Sequence, residues 1–546
     1  MARRFPETRR RSREHAAERG FGVVYFLVLV SVAALLMAGL AELGGLGLAR
    51  SRFGAEHERA RYLALAGAEH AVWRAHHEAC FVEQNGGQDF SQAMGSGTYT
   101  YRVDGSRTHL TIEATGSAGR ATHRVRRALL APPQAVRAMV AYGLDDDEPL
   151  EAREYAGDAW QASAPTAVRA DRALWCVLRG CPRRRERLLA TLDVDKQIYL
   201  QRWDGVDWTA MAKLSGDGGA TRCFDIAYEN ASGQALIVYA TGNDGDAHFR
   251  TWNGVTISGD QRLDLPFVGT VRWLALASRA SSDEIALIAI DTNKSLAAAM
   301  WNGSSFGAVT VLDGNLLTDN YEAAAVAFLE PSGTAAFVWN AKLLGVSTLR
   351  VALWRNAWLL PLVPALPMDE ARFVRLVASG SGDQARVGVL TKNADLSTVT
   401  VGLTGLGLPL ELIASNLATI DQRCFDLGFL PSGESVALFA RAGDGRPFIA
   451  TSSGALGWGS TSPGPNLDAN LQALQLRVDR VTGLMHIGVG ANSNSDGRTY
   501  LQLLAWSGAW TSPLADPPAT PKDQGEPFML CVDGDVCGPG VIAIGP

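Results

Sequence analysis

The 546-residue sequence has little of what catalysis and nucleic-acid binding ask for. It carries no G-x-S-x-G, H-E-x-x-H, P-loop or C-x-x-C motif, which removes the common hydrolase, metalloprotease, nucleotide and thiol-redox signatures. Beyond residue 183 only His248 and His486 can serve as imidazole bases. Charged residues make up 19% and the formal net charge is −6, which gives no reason to expect binding to nucleic acid, a partner that wants a basic face. Seven cysteines are too few for a disulfide-built scaffold. Strong helix formers thin out after residue 180 while Gly reaches 57, which points to a mainly β chain with many turns. The length predicts two or three domains.

What is present begins with Gly20–Ala41. From Phe21 to Ala41 there are 21 uncharged, mostly apolar residues. As a helix they extend roughly 31 Å, enough to cross a hydrocarbon core. The twenty residues before them carry seven Arg and three Glu, a basic flank that holds the N-terminus on the cytoplasmic side and sends the body outward. A helical pattern continues through Arg61-Tyr62-Leu63-Ala64-Leu65-Ala66-Gly67-Ala68-Glu69. Tyr62, Ala66, Glu69 and Trp73 are spaced to share one face. Alternating segments at Gly97–Gly105, Thr108–Gly116 and Ala121–Leu129 predict a three-strand antiparallel meander covering the helix.

This arrangement resembles the type IV pilin superfamily, in particular minor pilins of the PilX type and K-type pseudopilins of type II secretion. The resemblance covers residues 1–131. It implies a leader over 1–20, cleaved after Gly20 by a prepilin peptidase, and a methylated new N-terminus at Phe21. It further implies an inner-membrane helix over Phe21–Ala41, and other pilins or pseudopilins as partners. Major pilins carry Glu at the fifth mature position, where this chain has Tyr25. The departure implies a tip or low-copy position rather than a bulk filament subunit.

Residues 132–186 read as a linker. Pro132-Pro133 opens it, Asp145-Asp146-Asp147-Glu148 is an acidic run, and Arg183-Arg184-Arg185 closes it. Cys176 and Cys181 predict a loop disulfide. The acidic run and the hairpins at Asn243–Asp246 and Asn492–Gly497 carry oxygen donors that suit Ca²⁺, but they also carry the residues any tight turn wants, so no cofactor is expected.

Residues 187–546 are internally repetitive. Trp followed by a polar residue and Gly appears at Trp203-Asp204-Gly205, Trp252-Asn253-Gly254, Trp301-Asn302-Gly303 and Trp506-Ser507-Gly508. Weaker copies fall at Trp354-Arg355-Asn356, Leu403-Thr404-Gly405 and Ser452-Ser453-Gly454, giving a period of about 50 residues. An apolar strand follows each copy in phase, twice as Arg-Cys-Phe-Asp, at 222–225 and 423–426. Four strands per period predict a seven-bladed β-propeller, closed by pairing of 188–203 with 528–544. Cys531 and Cys537 are placed to staple that seam, while Cys223 and Cys424 read as buried thiols. The recurring Trp reads as packing between blades. Arg222, Asp225, Arg423, Asp426 and Arg375 are the candidates to face the channel.

The expected function is a membrane-anchored, non-enzymatic protein that displays a propeller for binding or adhesion at a pilus or cell surface, with no nucleic-acid partner. One rival is an envelope-tethered scaffold outside any filament. A second is a propeller that binds or hydrolyses glycans. The glycan reading predicts an Arg and carboxylate cluster, or aromatic pockets, at one face of the ring.

Overall fold

In the computed structural model, residues 11–511 and 530–533 are described, apart from 78–86, 106–108, 131–137, 144–148, 157–158, 170–171, 185, 220, 243–244, 281, 360–365, 381, 453–456, 480–482 and 495–498. They form two compact units.

In the first unit a single helix, α1 (Arg11–His77), meets an antiparallel sheet of β1 (Asp89–Met94), β2 (Gly97–Gly105), β3 (His109–Ala118) and β4 (Ala121–Leu130), in that order. The sheet has one strand more than the alternating pattern suggested, because β1 is short and largely exposed on both faces. The buried stripe of α1 is Ala60, Leu63, Ala64, Ala68 and Ala71, a three-and-four spacing of small residues. The face through Tyr62 is therefore corrected: Tyr62 is 69% exposed. Small residues win because the sheet comes close. A Cβ on Gly116 of β3 would run into the Ala60 carbonyl oxygen and the Ala64 nitrogen. Among the described residues no helix is long and apolar enough to cross a membrane. The side chains of Gly20–Tyr25 lie outside that description, so the apolar run is covered only from Phe26 onward.

The second unit is a β-propeller, and it has eight blades rather than seven. Eight antiparallel sheets follow one another among the described residues. Blade 1 combines Ala138–Tyr142, Pro149–Ala156, Ala159–Trp160 and Ala164–Arg169 with the C-terminal strand Leu530–Asp533. Blades 2 to 8 open on the inner strands Ala173–Gly180, Phe224–Tyr228, Val271–Ser278, Ala324–Leu329, Ala371–Ala378, Phe425–Phe429 and Ala469–Val478. Each inner strand touches the next, and Leu530–Asp533 touches both Ala469–Val478 and Ala173–Gly180. The ring is thereby closed, and Leu530–Asp533 covers the edge of Ala138–Tyr142.

Residues 132–186 are accordingly not a linker. They hold four strands of blade 1 and the inner strand of blade 2, which pairs with Arg187–Asp193. Closure is one strand from the C-terminus added to four from the N-terminal side, with Cys531 opposite Ala141 and Val532 opposite Val140. Second strands such as Ala235–Ala240 and Ile285–Asp291 are buried along their whole length. Neighbouring blades cover both faces, so these strands read as unbroken apolar runs. Each Leu, Ile or Val buried in them contributes about 1.5–3 kcal/mol.

The Trp-Asx-Gly repeat has a local cause. Asp204, Asn253 and Asn302 each accept, through Oδ1, the amides two and three residues on, at 2.8–3.0 Å. The following Gly205, Gly254 and Gly303 have φ of 107°, 97° and 94°, a region that favours Gly. The Trp then reaches the blade before it. Trp252 Nε1 donates to Glu186 at 3.1 Å and Trp301 Nε1 to Glu229 at 2.7 Å.

Candidate functional site

Around the ring axis the blades alternate in kind. The inner strands of blades 2, 4, 6 and 8 each carry a register shift against their second strand, at Leu174, Arg272, Arg372 and Gln472. The inner strands of blades 1, 3, 5 and 7 carry none. The repeating unit is therefore a pair of blades, about 100 residues, present four times. A bulge bends its strand and re-aims the next side chain. Here the residues after the bulge are Trp175, Trp273, Phe373 and Ala473, and all four line one central cavity of about 460 Å³.

The odd blades supply the charge. The residue two before the inner strand is Arg222 in blade 3, Glu322 in blade 5 and Arg423 in blade 7. Each is pinned through its carbonyl, which accepts from the next blade's Leu274, Val374 or Leu474 amide at 3.1, 2.8 and 3.2 Å. Four blades separate the two Arg-Cys-Phe-Asp copies, so in an eight-membered ring they stand opposite each other, with blade 5 midway.

Glu322 joins them. Its Oε1 accepts from Arg222 Nε at 2.7 Å and its Oε2 from Arg423 Nη1 at 3.3 Å. Asp225 accepts from Arg179 at 3.1 Å and from Arg222 at 3.4 Å. Asp426 accepts from Arg375 Nε at 2.8 Å. Both aspartates also tie blades together: Asp225 Oδ2 takes the Leu276 amide at 2.9 Å and Asp426 Oδ2 the Leu476 amide at 3.0 Å.

Burial pushes the Glu322 carboxyl up, but Arg222 and Arg423 outweigh burial and hold it below the ordinary Glu value. Asp426 behaves likewise, with Arg375 and Arg423 outweighing burial. Arg423 moves the other way. Burial, with Arg375 and Arg222 close by, pulls its guanidinium below the ordinary Arg value despite Glu322 and Asp426. Aromatic walls flank the charges. Trp175 meets Trp273 edge-on at 5.4 Å, and Tyr321 meets Phe373 at 5.5 Å. Arg372 lies over the Tyr321 ring at 4.6 Å and bonds Asp421 at 2.6 Å.

Arg222, Asp225, Arg423 and Asp426 thus meet in one network, together with Arg375. Sequence reasoning missed Arg179, Glu322 and the aromatic ring. The signal for Glu322 was its position, 100 residues after Arg222 and 101 before Arg423, visible only once the two-blade period is known. The Cys176–Cys181 loop is corrected: Cys181 is a free buried thiol, while Cys176 is disulfide-bonded elsewhere. Five residues along an extended chain span roughly 16 Å, far beyond disulfide reach. Burial pushes the Cys181 thiol up to about 12. Cys223 and Cys424 are free and fully buried. Cys537, the side chain of Cys531, and the side chains of Gly20 and Phe21 lie outside the described residues.

Among the described residues no group of three His, Cys, Asp or Glu side chains is placed to hold a metal. Asp246, in one hairpin considered for Ca²⁺, instead binds Arg262 and the Leu265 amide. Residues 144–148, 243–244 and 495–498, which hold the remaining oxygen-rich turns, lie outside the description.

No family model matches the chain, and no curated protein sequence does. Among solved structures it is similar to the BP39L lectin of Burkholderia pseudomallei, at 15% identity over 63% of this chain and 98% of that one, with a TM-score of 0.45. It is also similar to the six-bladed fucose-recognising lectin of Aleuria aurantia, at 11% identity over 64% and 96% and a TM-score of 0.33. A third likeness is to the β-propeller domain of the Trilobed protease of Pyrococcus furiosus, at 8% identity over 65% and 98% and a TM-score of 0.36. Likenesses of this size bear on no residue of the channel, and the eight-bladed ring described above rests on this chain's own sheets.

Proposed function

We propose that the protein is a non-enzymatic carbohydrate-binding head whose site is the central channel of the propeller. One observation carries the reading: an arginine–carboxylate network and an aromatic ring converge on a single cavity of about 460 Å³. That size and mixed lining suit a small polar ligand with apolar faces, as a sugar is. Binding is favoured over hydrolysis because glycoside cleavage needs a carboxylic acid kept protonated near neutral pH. In the channel, Glu322 and Asp426 are held below their ordinary values and Asp225 accepts from two arginines. The test is a glycan array probed with the full chain and with Phe373→Ala. The reading expects retention by the parent and a loss of at least about tenfold in the variant. Retention that ignores channel substitutions would overturn it.

A second reading concerns how the head is held. Side chains from Phe26 to Leu40 are exposed on every side of α1, including Phe26 at 68%, Leu35 at 73% and Leu40 at 67%. A helix that is apolar all round belongs inside a membrane or another assembly. This supports anchoring through the described part of Phe21–Ala41, while pilin-like processing after Gly20 rests on the sequence resemblance alone. Mass spectrometry of the mature N-terminus checks it. An end at Phe21 supports the reading, and an end at Met1 or beyond Ala41 refutes it.

A further inference from the structure

The fourfold repetition around the channel is broken in one place. After the bulge, Trp175, Trp273 and Phe373 are large, while blade 8 has Ala473. At the bulge, Arg272 and Arg372 pair with Asp319 and Asp421, while Gln472 keeps a buried Oε1 without a hydrogen-bond partner. The neighbouring loop into blade 7 adds two more unmet groups, Gln422 Oε1 and Arg423 Nε. Buried polar atoms rarely go unpaired. Of these, Arg423 and Gln422 line the cavity, so a donor and an acceptor lie on the side where an aromatic is missing. Around the channel as a whole, the ion-paired network sets four arginines (179, 222, 375, 423) against three carboxylates (225, 322, 426) among the described residues. Arg423 is the least well served, sharing Glu322 with Arg222 through the longer of the two bonds.

We propose that the blade 7–8 side of the channel binds the carboxylate of an acidic sugar. Arg423 takes the acid group, Gln422 takes a hydroxyl, and the ring occupies the space Ala473 leaves open. A guanidinium fork matches a planar carboxylate, and the low-dielectric wall strengthens the pair. The proposal rests on the channel being the binding site, and its test separates the two.

An array carrying matched neutral, carboxylate-bearing and sulfate-bearing glycans is probed with the full chain, Arg423→Gln, Arg423→Lys and Ala473→Trp. The parent is expected to retain carboxylate-bearing glycans at least about tenfold over their neutral counterparts, and over the sulfated ones. Ala473→Trp removes no charge and restores the aromatic of the other three repeats, and it is expected to abolish retention. Arg423→Gln is expected to lose the acid preference. Arg423→Lys keeps the charge should the Gln variant fail to fold, and is expected to retain weaker acid preference. Equal retention of neutral and acidic glycans, with binding still lost in Phe373→Ala, would overturn the acid assignment and leave the channel reading standing. A preference for sulfate would overturn the carboxylate. A folded chain that retains no glycan would overturn both.

Discussion

Glu322 serves two arginines at once, so its loss is felt twice. Glu322→Gln leaves Arg222 and Arg423 facing each other in the channel with no shared counter-charge, and their side chains are only 17% and 22% exposed. Breaking a buried pair in this way costs roughly 3–5 kcal/mol, to be read as a lower urea midpoint at unchanged slope. The pH dependence has a definite sign. Glu322 and Asp426 titrate below their ordinary values of 4.5 and 3.8 in the folded chain. Their stabilisation is therefore complete above those values and is lost as pH falls through the lower folded ones. Thermal unfolding followed from pH 7 to pH 3 is expected to show a falling midpoint below about pH 4.5, with a shallower fall in Glu322→Gln; an identical slope in both would contradict the pairing. Five of the seven network residues, Arg375 among them, were legible in the sequence. Arg222, Asp225, Arg423 and Asp426 stand out because a four-residue string recurs. Glu322 and Arg179 share no string with anything, and only ring closure brings them to the same axis.

At the scale of elements, blade packing hangs on short polar contacts. Trp301→Phe keeps most of the ring contacts, with Phe249 and Phe306 at 5.6 and 5.2 Å, but removes the indole donor to Glu229, which is 2% exposed. Burial already raises the Glu229 carboxyl, and Trp301 is one of the groups that hold it down. The variant is expected to lose about 1–3 kcal/mol, measured by calorimetry. In the first unit, Gly116→Val places a side chain against the backbone of α1, which cannot yield as a side chain would. Faster amide exchange over residues 56–72 is expected, with the propeller unchanged; equal protection would refute the close approach. The strand pattern named the blade type correctly because Trp-Asx-Gly is fixed by local backbone chemistry. It missed blade 1 because the marker there is Tyr155-Ala156-Gly157, one period before Trp203, with Tyr in the Trp position. It also missed the pairing of blades. A one-residue bulge shifts register against the neighbouring strand and leaves no mark in composition.

For the whole molecule, closure depends on one strand. Ending the chain before Leu530 exposes the edge of Ala138–Tyr142, which Leu530–Asp533 covers. Such an edge templates association between copies, so the shortened chain is expected to unfold at lower temperature and to aggregate at concentrations where the full chain stays dispersed. The eight-membered ring also explains the channel. Four copies of a two-blade unit set Arg222 and Arg423 opposite each other, Glu322 between them, and three aromatics and Ala473 around them. A seven-membered ring would place no two blades opposite. The most direct test of this account is a structure of the full chain with a glycan that the array retains. The account predicts the sugar in the central channel, beside Ala473 and within hydrogen-bond distance of Arg423. Density for the sugar on the outer rim between two blades, with the channel free of it, would contradict the account.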